Sequence, residues 1–282
     1  MRASEWVGLI RSLIVYWRPG RQRGLRRLYA PLVHEGDLVF DVGAHLGDRA
    51  AAFAALGARV IALEPQPRIA RCLRRIVGRN ERITVRAEAV GAVVGRARLA
   101  ISRRTPTMST LSAAWRESLG EPTSAFRDVR WEDSVEVPVV TLDTLIEIFG
   151  RPSFCKIDVE GYEAEVLAGL SHPVPGLSVE FVSGQLDRAS ACINRINELG
   201  AYRFNLVLGE GRDFVFETWE GAESVLAYLA AGAGGASSGD IYARLDRVGP
   251  ADEAVREEAE RGGVRLGDGE RVEAEQGDRA DD

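Results

Sequence analysis

The sequence of 282 residues holds only three cysteines, three histidines and two methionines. Cys72, Cys155 and Cys192 are unevenly spaced, which fits neither a disulfide framework nor a zinc-ligand pattern. We therefore expect reduced, buried thiols, no metal site and a reducing, cytoplasmic setting. The sequence also lacks an apolar run long enough to cross a bilayer, and it lacks a cleavage-like site that would mark a secretory signal.

The body of the chain carries a net negative charge. Residues 1–27 carry seven arginines against one glutamate, whereas residues 28–250 carry 24 basic and 29 acidic side chains. Residues 251–282 carry twelve acids against five arginines. Nucleic-acid phosphates are bound by clustered cations, so the acidic body argues against DNA or RNA as a substrate. We predict no nucleic-acid partner.

The length and the composition predict one main domain with an extension at each end. Hydrophobic residues make up 45% and charged residues 28%, as in ordinary soluble domains. We place an amphipathic basic helix region at 1–35, the main domain at 36–249 and a charged tail at 250–282. The tail holds almost no large apolar residues, so it buries too little surface to offset its ordering entropy.

The amphipathic region near the start leaves two interpretations open. Its apolar residues recur at helical spacing, and they are Trp6, Leu9, Ile10, Leu13, Ile14 and Trp17. The helix could pack on its own domain or on a second copy in a homodimer. Alternatively, the arginines that follow would let it make peripheral contact with an anionic membrane.

The most informative segment is a glycine turn after a short apolar strand. Residues 38–40 predict a buried parallel strand, with Asp41 at its carboxyl end. Gly43 and Gly47 then turn the chain into a helix over 49–56. In a Rossmann-like sheet, the carboxyl ends of the strands form the edge at which small molecules bind.

A second predicted strand, over 59–63, ends at Glu64 and Pro65. A carboxylate in this position can accept hydrogen bonds from both hydroxyls of a nucleoside ribose. We therefore predict that Glu64 and Pro65 belong to a nucleoside-binding site.

The charge of the glycine turn indicates which nucleoside binds. Dinucleotide sites favour G-x-G-x-x-G, because three glycines seat the pyrophosphate on a helix N-terminus. Here the pattern is Asp41-x-Gly43-x-x-x-Gly47, and His45 takes the place of the second glycine. Asp41 would repel a diphosphate but attract the ammonium and sulfonium of S-adenosylmethionine. The turn, including Ala44, is therefore predicted to bind S-adenosylmethionine rather than NAD.

Several short motifs follow one another at a spacing that chance rarely produces. They are Asp41–Gly47, Glu64–Pro65, Val140–Asp143, Lys156–Gly161, Val166–Gly169 and Ser178–Glu180. In this order they resemble the motifs of FkbM-type methyltransferases, over residues 36–218. The resemblance implies a class I fold and methylation of hydroxyls on sugars, lipids or other small molecules. His45 stands where many relatives carry Asn, but both side chains donate hydrogen bonds, so we expect donor binding to survive.

The third predicted strand, over 83–87, is followed by Glu88 and Ala89. Class I methyltransferases hold the adenine at this place, so the resemblance implies that both residues contact the base. Glu88 would accept a hydrogen bond from its polar edge; an ordinary exposed acid is the alternative.

Residues 102–135 show no periodicity and are rich in Ser, Thr, Arg, Pro and Trp. A loop of this length inside a domain is usually functional or mobile. We interpret it as a substrate-side lid, with Met108–Ser112 and Trp115 as candidate contacts. A loosely ordered insertion is the alternative.

The only lysine of the sequence is Lys156, against 35 arginines. It lies on a predicted strand over 154–158, where alternation puts it on the same face as Asp158. A buried ammonium changes its pKa readily, so it can act as a base or orient a substrate oxygen. The alternative is that the lysine–carboxylate pair only braces the turn.

A hydroxyl acceptor has a high pKa, so a group that takes its proton assists the attack on the methyl group. We predict Asp158 as this base, because it ends the strand, with Lys156 positioning the acceptor oxygen. Glu160 is a second candidate, although it could instead cap the helix predicted over 162–170. Glu180, after the fifth strand, is a further candidate for the pocket.

The end of the domain predicts a helix over 186–199 and an antiparallel hairpin of strands 202–208 and 213–217. Residues 232–239 are Gly, Ala and Ser, which indicates a flexible loop. The predicted fold is thus a class I methyltransferase Rossmann-like α/β sheet, mostly parallel, with a C-terminal antiparallel hairpin.

Three functions are compatible with these patterns. The first is an S-adenosylmethionine-dependent methyltransferase acting on a small-molecule or glycan acceptor. The second is an NAD-dependent oxidoreductase on the same sheet, which Asp41 and His45 disfavour. The third is a non-catalytic nucleoside-binding scaffold whose charged termini hold partners.

Overall fold

Short apolar strands alternate with helices along the chain, and the computed structural model describes residues 3–119 and 129–246. The strands are β1 (Leu38–Val42), β2 (Arg59–Leu63), β3 (Ile83–Arg86), β4 (Ala89–Val90), β5 (Gly95–Ile101), β6 (Asp133–Val140), β7 (Phe154–Ile157), β8 (Gly176–Val182), β9 (Tyr202–Leu208) and β10 (Ser238–Leu245). The helices are α1 (Ala3–Tyr16), α2 (Arg21–Tyr29), α3 (Asp48–Ala55), α4 (Pro67–Val77), α5 (Ala113–Leu119), α6 (Leu142–Phe149), α7 (Glu163–Ala168), α8 (Leu186–Leu199) and α9 (Ala222–Ala230). The predicted tail, 250–282, lies outside the described residues.

Seven strands form the central sheet in the order β3-β2-β1-β7-β8-β10-β9. The strands β3, β2, β1, β7 and β8 run parallel, and β10 runs antiparallel to both β8 and β9. This is the predicted class I methyltransferase sheet, and the bounds of β2 and α8 agree with the prediction to the residue. Strand β1 lies between β2 and β7, and both run parallel to it. In the pairing with β7, Asp41 lies opposite Lys156.

The partner predicted for β9 is wrong. Residues 213–217 form no strand, and β9 pairs with β10, which begins at Ser238 after helix α9. Strand β10 lies between β8 and β9, with Ile241, Tyr242 and Ala243 buried. This apolar segment therefore takes the place in the sheet that was predicted for residues 213–217. The flexible loop predicted over 232–239 is likewise wrong, because it contains a 3-10 turn and the start of β10.

A smaller sheet of order β4-β6-β5 lies in the middle of the chain. The edge strand predicted over 97–101 is β5, which begins two residues earlier. Residues 102–135 are more ordered than predicted: they contain a 3-10 turn at Pro106–Met108, helix α5 and the first residues of β6. Positions 120–128 of this segment lie outside the described residues.

Two apolar cores cover the faces of the central sheet. One packs α6, α7, α8 and α9 on the sheet, and the other packs α2 and α3 on the opposite face. Tyr29, Phe53, Phe154 and Tyr242 form an aromatic cluster in the second core, with ring centroids 4.5–6.4 Å apart. The N-terminal helix α2 is therefore part of the core rather than an appendage.

The three cysteines are free thiols, with Cys155 and Cys192 buried as predicted and Cys72 only half-buried. Across 3–119 and 129–246, no helix has both the length and the apolar character to span a bilayer. Helix α1 exposes Ile10 and Ile14. These apolar side chains are compatible with both predicted contacts, a second copy of the chain and a membrane surface.

Candidate active site

The glycine turn brings the end of β1 against the segment that follows β7. Gly43 has φ +79°, and a Cβ atom there would lie 1.8 Å from the carbonyl oxygen of Asp158. Only glycine tolerates both the left-handed backbone and this approach. Gly43 therefore allows the two carboxylates at the strand ends, Asp41 and Asp158, to face one pocket.

Gly47 allows the glycine turn to approach helix α4 closely. Its φ is also +79°, but a Cβ atom there would lie 2.4 Å from the Leu73 side chain of α4. Gly47 is not among the residues that line the pocket. Its lack of a side chain lets the turn pack on α4, and that it also contacts the donor stays a prediction.

The pocket lies at the carboxyl ends of β1, β2 and β7, with a volume of about 840 Å³ that includes open solvent. Eleven of the twelve predicted site residues line it, and they are Asp41, Gly43, Ala44, His45, Glu64, Pro65, Glu88, Ala89, Lys156, Asp158 and Glu160. Residues far apart in sequence thus meet at one edge of the sheet, where α/β folds bind small molecules.

Asp41 is the most unusual residue of the pocket. Its side chain is fully buried, and neither carboxylate oxygen has a hydrogen-bond partner within the described chain. Burial raises the pKa of Asp41 to about 6, against the opposing charges of Lys156 and Arg49. A buried carboxylate without hydrogen bonds is costly, and a cationic ligand would supply the missing partners. S-adenosylmethionine, which carries an ammonium and a sulfonium, fits this requirement.

Glu64 is held in place by the backbone on both sides of it. Its oxygens accept hydrogen bonds from the backbone N–H of His45 at 3.1 Å and of Gln66 at 2.8 Å. Burial nevertheless raises the pKa of Glu64 to about 7. The free lone pairs of a carboxylate fixed in this way can accept from the two hydroxyls of a ribose.

Glu88 lines the pocket but is paired. Its carboxylate accepts hydrogen bonds from the Arg86 guanidinium, which lowers its pKa. It stays ionised at neutral pH and can accept a hydrogen bond from the amino group of a base.

Lys156 and Asp158 form a buried ion pair, with 2.6 Å between Nζ and Oδ2. The lysine side chain is 2% exposed and the aspartate 22%. Burial alone would lower the pKa of Lys156, but the Asp158 carboxylate raises it above its ordinary value. Burial would likewise raise the pKa of Asp158, but Lys156 and Arg49 lower it. Lys156 is therefore an ammonium, able to orient an oxygen but not to accept a proton.

Glu160 and Glu180 complete an acidic corner around Asp158. Each of the three offers one carboxylate oxygen, and these oxygens lie within 4.8 Å of one another. Burial, followed by the neighbouring Asp158 charge, raises the pKa values of Glu160 and Glu180 well above the ordinary range. The alternative considered for Glu160, a cap of α7, is not observed: the helix begins after Tyr162 without a side-chain cap, and Glu163 Oε1 accepts from the Val159 and Gly161 N–H groups that precede it.

The described part of the predicted lid supplies one wall of the pocket. Ser109, Thr110 and Leu111 line it, and the Thr110 hydroxyl donates to the Glu160 carbonyl at 2.7 Å. Trp115 does not line it, in contrast to the prediction. It is buried beneath Gly161, in a separate cluster with Met108 and Trp131.

Tyr16 and Arg49 are among the pocket residues that sequence reasoning missed. Tyr16, at the end of α1, lies edge-on to the His45 ring at 5.2 Å. Arg49 lines the pocket from the first turn of α3. No motif marks Tyr16, because its contact with the pocket depends on how α1 docks. Arg49 lies directly after the glycine turn, and this position is a signal from which it could have been predicted.

The N-terminal helices are fastened to the glycine turn. The buried Arg21 guanidinium donates to Asp48 and to Glu210, each at 2.6 Å. Trp17 Nε1 donates to the Leu46 carbonyl at 3.2 Å, and the Gln22 amide donates to the Asp48 carbonyl at 2.8 Å. These bonds close one side of the pocket with a segment that precedes β1.

The family model for the methyltransferase FkbM domain matches residues 41–231 of this chain. A curated relative, the hexuronic acid methyltransferase AglP of Haloferax volcanii, is 28% identical over 183 residues. The aligned part spans 61% of this chain and 66%, just under two thirds, of that relative.

Solved structures with a similar chain course include two O-methyltransferases. The enzyme from Bacillus cereus in complex with S-adenosylhomocysteine has 14% identity and a TM-score of 0.42, over 87% of this chain and 92% of that chain. The S-adenosylmethionine-dependent enzyme from Thermotoga maritima has 12% identity and a TM-score of 0.39, over 82% of this chain and 67% of that chain.

Proposed function

The chain belongs to the FkbM methyltransferase family, and we propose that it methylates a hydroxyl of a sugar, a glycan lipid or another small molecule. S-adenosylmethionine is the methyl donor of this enzyme, as predicted from Asp41 and the glycine turn. The family match sets aside the NAD-dependent alternative. The buried, unpartnered carboxylate of Asp41 is the observation that carries the residue assignment.

The donor site that we propose follows the edge of the sheet. Asp41 binds the positively charged end of the donor, and the backbone from Gly43 to His45 passes close beside it. Glu64 accepts from the ribose, and Glu88 with Ala89 lies at the base. When bound, the donor supplies a methyl group already activated by its sulfonium charge.

The residues proposed for methyl transfer lie at the end of β7. The Lys156 ammonium orients the acceptor oxygen, and Asp158 or Glu160 accepts the hydroxyl proton as the oxygen attacks. Asp158 is ionised beside Lys156 and is the first candidate, whereas the raised pKa of Glu160 makes it the stronger base once ionised. Transfer otherwise depends on alignment of the acceptor with the methyl group and on exclusion of water.

The acceptor is proposed to enter between α1 and the segment that follows β5. A groove lined by Arg11, Tyr16, Arg104 and Thr107 adjoins the donor pocket there and shares Tyr16 and Thr107 with it. The groove could hold a sugar, and its two arginines suit an acceptor that carries an acidic group. The related hexuronic acid methyltransferase makes uronic acid glycosides the first acceptors to test.

The test is a set of methyl-transfer assays with labelled S-adenosylmethionine. Uronic acid glycosides, neutral glycosides and phenols serve as acceptors, and mass spectrometry locates the added methyl group. Label in an ether of a hydroxyl would support the proposal, whereas label only in a carboxyl ester or an amine would contradict O-methylation of a hydroxyl. A parallel assay with EDTA tests the prediction that no metal is needed: loss of activity would contradict it and would make the Asp158, Glu160 and Glu180 corner the first place to test for a cation.

A further inference from the structure

The described lining of the donor pocket holds six carboxyl groups and two cationic side chains. Its lining carboxylates are Asp41, Asp48, Glu64, Glu88, Asp158 and Glu160. S-adenosylmethionine carries two positive charges, but its methionine end also carries a carboxylate, which these acids would repel. A pocket that binds the whole donor therefore needs a cationic side chain near Asp41.

Among the described residues that line the pocket, the only lysine or arginine side chains are Lys156 and Arg49. Lys156 is engaged by Asp158 at 2.6 Å. The neighbouring Arg21 is held by Asp48 and Glu210 and does not line the pocket. Arg49 is therefore the cation that is available.

Arg49 is poorly satisfied by its own chain. Its side chain is 14% exposed, and its buried Nε atom has no hydrogen-bond partner within the described residues. Within residues 3–119 and 129–246, its ion-pair contact is with Asp240 and spans 4.0 Å. A buried guanidinium normally has more partners than this, so the fork has donors left for a ligand.

The position of Arg49 is also unfavourable for its own helix. It lies in the first turn of α3, where the helix dipole favours negative rather than positive charge. Burial of the guanidinium adds to that cost. Helix stability does not account for the residue, and a ligand carboxylate would give its guanidinium the close partner that Asp240, at 4.0 Å, does not.

We propose that Arg49 binds the carboxylate of the donor's methionine moiety, while Asp41 binds the ammonium of the same group. A guanidinium fork and a carboxylate match in geometry, and together the two side chains would recognise an α-amino acid. This inference rests on the proposed donor site and adds to it the residue that distinguishes the complete donor from fragments that lack the carboxylate.

The test compares two ligands that differ in that carboxylate. S-adenosylhomocysteine carries it, and S-adenosyl-3-thiopropylamine lacks it but keeps the amine. Calorimetric titration at pH 8 should show that the wild-type chain loses roughly 10- to 100-fold in affinity with the second ligand, as for one charge-assisted pair. Arg49→Met should bind the two ligands within about threefold of each other, at the affinity that the wild type has for the amine.

Controls separate the subsite from the fold. Arg203→Met removes a half-exposed arginine that pairs with Asp246 at the sheet edge, and it should behave as the wild type. If Arg49→Met does not fold, the two titrations of the wild type remain as the test of the carboxylate subsite. Arg49→Lys, which keeps the positive charge, then takes the place of Arg49→Met.

Equal affinity of the wild type for the two ligands would overturn the proposal. Parallel loss of both ligands in Arg49→Met would also overturn it, because the residue would then only support the pocket. A wild-type chain that binds neither ligand would instead contradict the proposed donor site itself.

Discussion

At the residue scale, the pocket depends on carboxyl groups placed where folding alone would not favour them. Asp41 is fully buried and has no hydrogen bond to any described residue, and burial raises its pKa from 3.8 to about 6. Because the folded chain holds this proton more tightly than the unfolded chain, ionisation of Asp41 at neutral pH destabilises the fold. A difference of that size corresponds to about 3 kcal/mol as an upper value.

Asp41→Asn should therefore raise the free energy of unfolding while it abolishes donor binding. The gain should reach about 1 to 3 kcal/mol above pH 6 and should vanish below pH 4, where Asp41 is protonated in both states. Urea unfolding at pH 7 and pH 4, with calorimetry for S-adenosylhomocysteine, measures the two effects. A variant that is less stable than the wild type at pH 7 would show that Asp41 has a structural partner.

The affinity for S-adenosylhomocysteine should fall as the pH is lowered. Asp41 and Glu64 act as carboxylates in the donor site, and burial places their pKa values at about 6 and about 7. Affinity should thus be constant near pH 8 and decline below pH 7, by up to about tenfold per pH unit for each coupled group. Glu64→Gln should bind S-adenosylhomocysteine more weakly at pH 8, and its affinity should no longer decline near pH 7. If the pH dependence of the affinity is unchanged in this variant, Glu64 does not belong to the donor site.

Lys156→Met and Asp158→Asn should separate binding from transfer. Both residues are proposed to act on the acceptor, so the affinity for S-adenosylhomocysteine should stay within about threefold while kcat falls at least about 100-fold. Glu180→Gln, in the same acidic corner, is the matched comparison. Loss of donor affinity without a change in kcat would move Lys156 and Asp158 to the donor site.

At the element scale, helices α1 and α2 determine whether the pocket is closed. The buried Arg21 joins α2 to Asp48 at the start of α3, directly after the glycine turn. Removal of one partner of a buried ion pair costs about 3 kcal/mol. Arg21→Met should therefore lower stability by that amount and speed amide exchange in residues 43–50.

The matched control for Arg21 is Arg27→Met on the same helix. Its ion pair with Asp213 is largely exposed, so its removal should change neither stability nor exchange in the turn. Equal exchange in the two variants would show that the N-terminal helices do not hold the glycine turn.

Elements with local signals were predictable from the sequence, and elements set by distant contacts were not. The strand over 59–63 and the helix over 186–199 have an apolar pattern of their own and were predicted to the residue. The partner of β9 was missed because β10 begins 30 residues after β9 ends, while residues 213–217 offered a nearer turn. Strand pairing across a sheet depends on burial of the whole segment, which local periodicity does not report.

The same division applies to the site. Asp41, Glu64 and Asp158 end strands and are recognisable from a strand followed by an acid. Tyr16 and Trp115 are both aromatic residues in segments that flank the predicted site. Tyr16 reaches the pocket because of how α1 docks, whereas Trp115 is buried beneath Gly161. Direction of a side chain within a loop is a tertiary property, so sequence reasoning placed the loop but not its contacts.

At the scale of the whole molecule, folding buries charged groups in the pocket at a cost in free energy. A bound ligand should reduce that cost. Donor binding would give the Asp41 carboxylate and the Arg49 guanidinium hydrogen-bond partners beyond those that the described residues provide. S-adenosylhomocysteine at 100 times its Kd should thus raise the free energy of unfolding by about 2.7 kcal/mol and shift the melting temperature upward. Asp41→Asn should melt at the same temperature with and without this ligand.

The central claim is that the acidic glycine turn selects S-adenosylmethionine over a dinucleotide. Calorimetric titration of the purified chain with S-adenosylhomocysteine, with NAD as the comparison, tests it most directly. We expect saturable one-to-one binding of S-adenosylhomocysteine and no heat of binding for NAD. Binding of NAD alone, or of neither ligand, would contradict the account of Asp41 and of the pocket built around it.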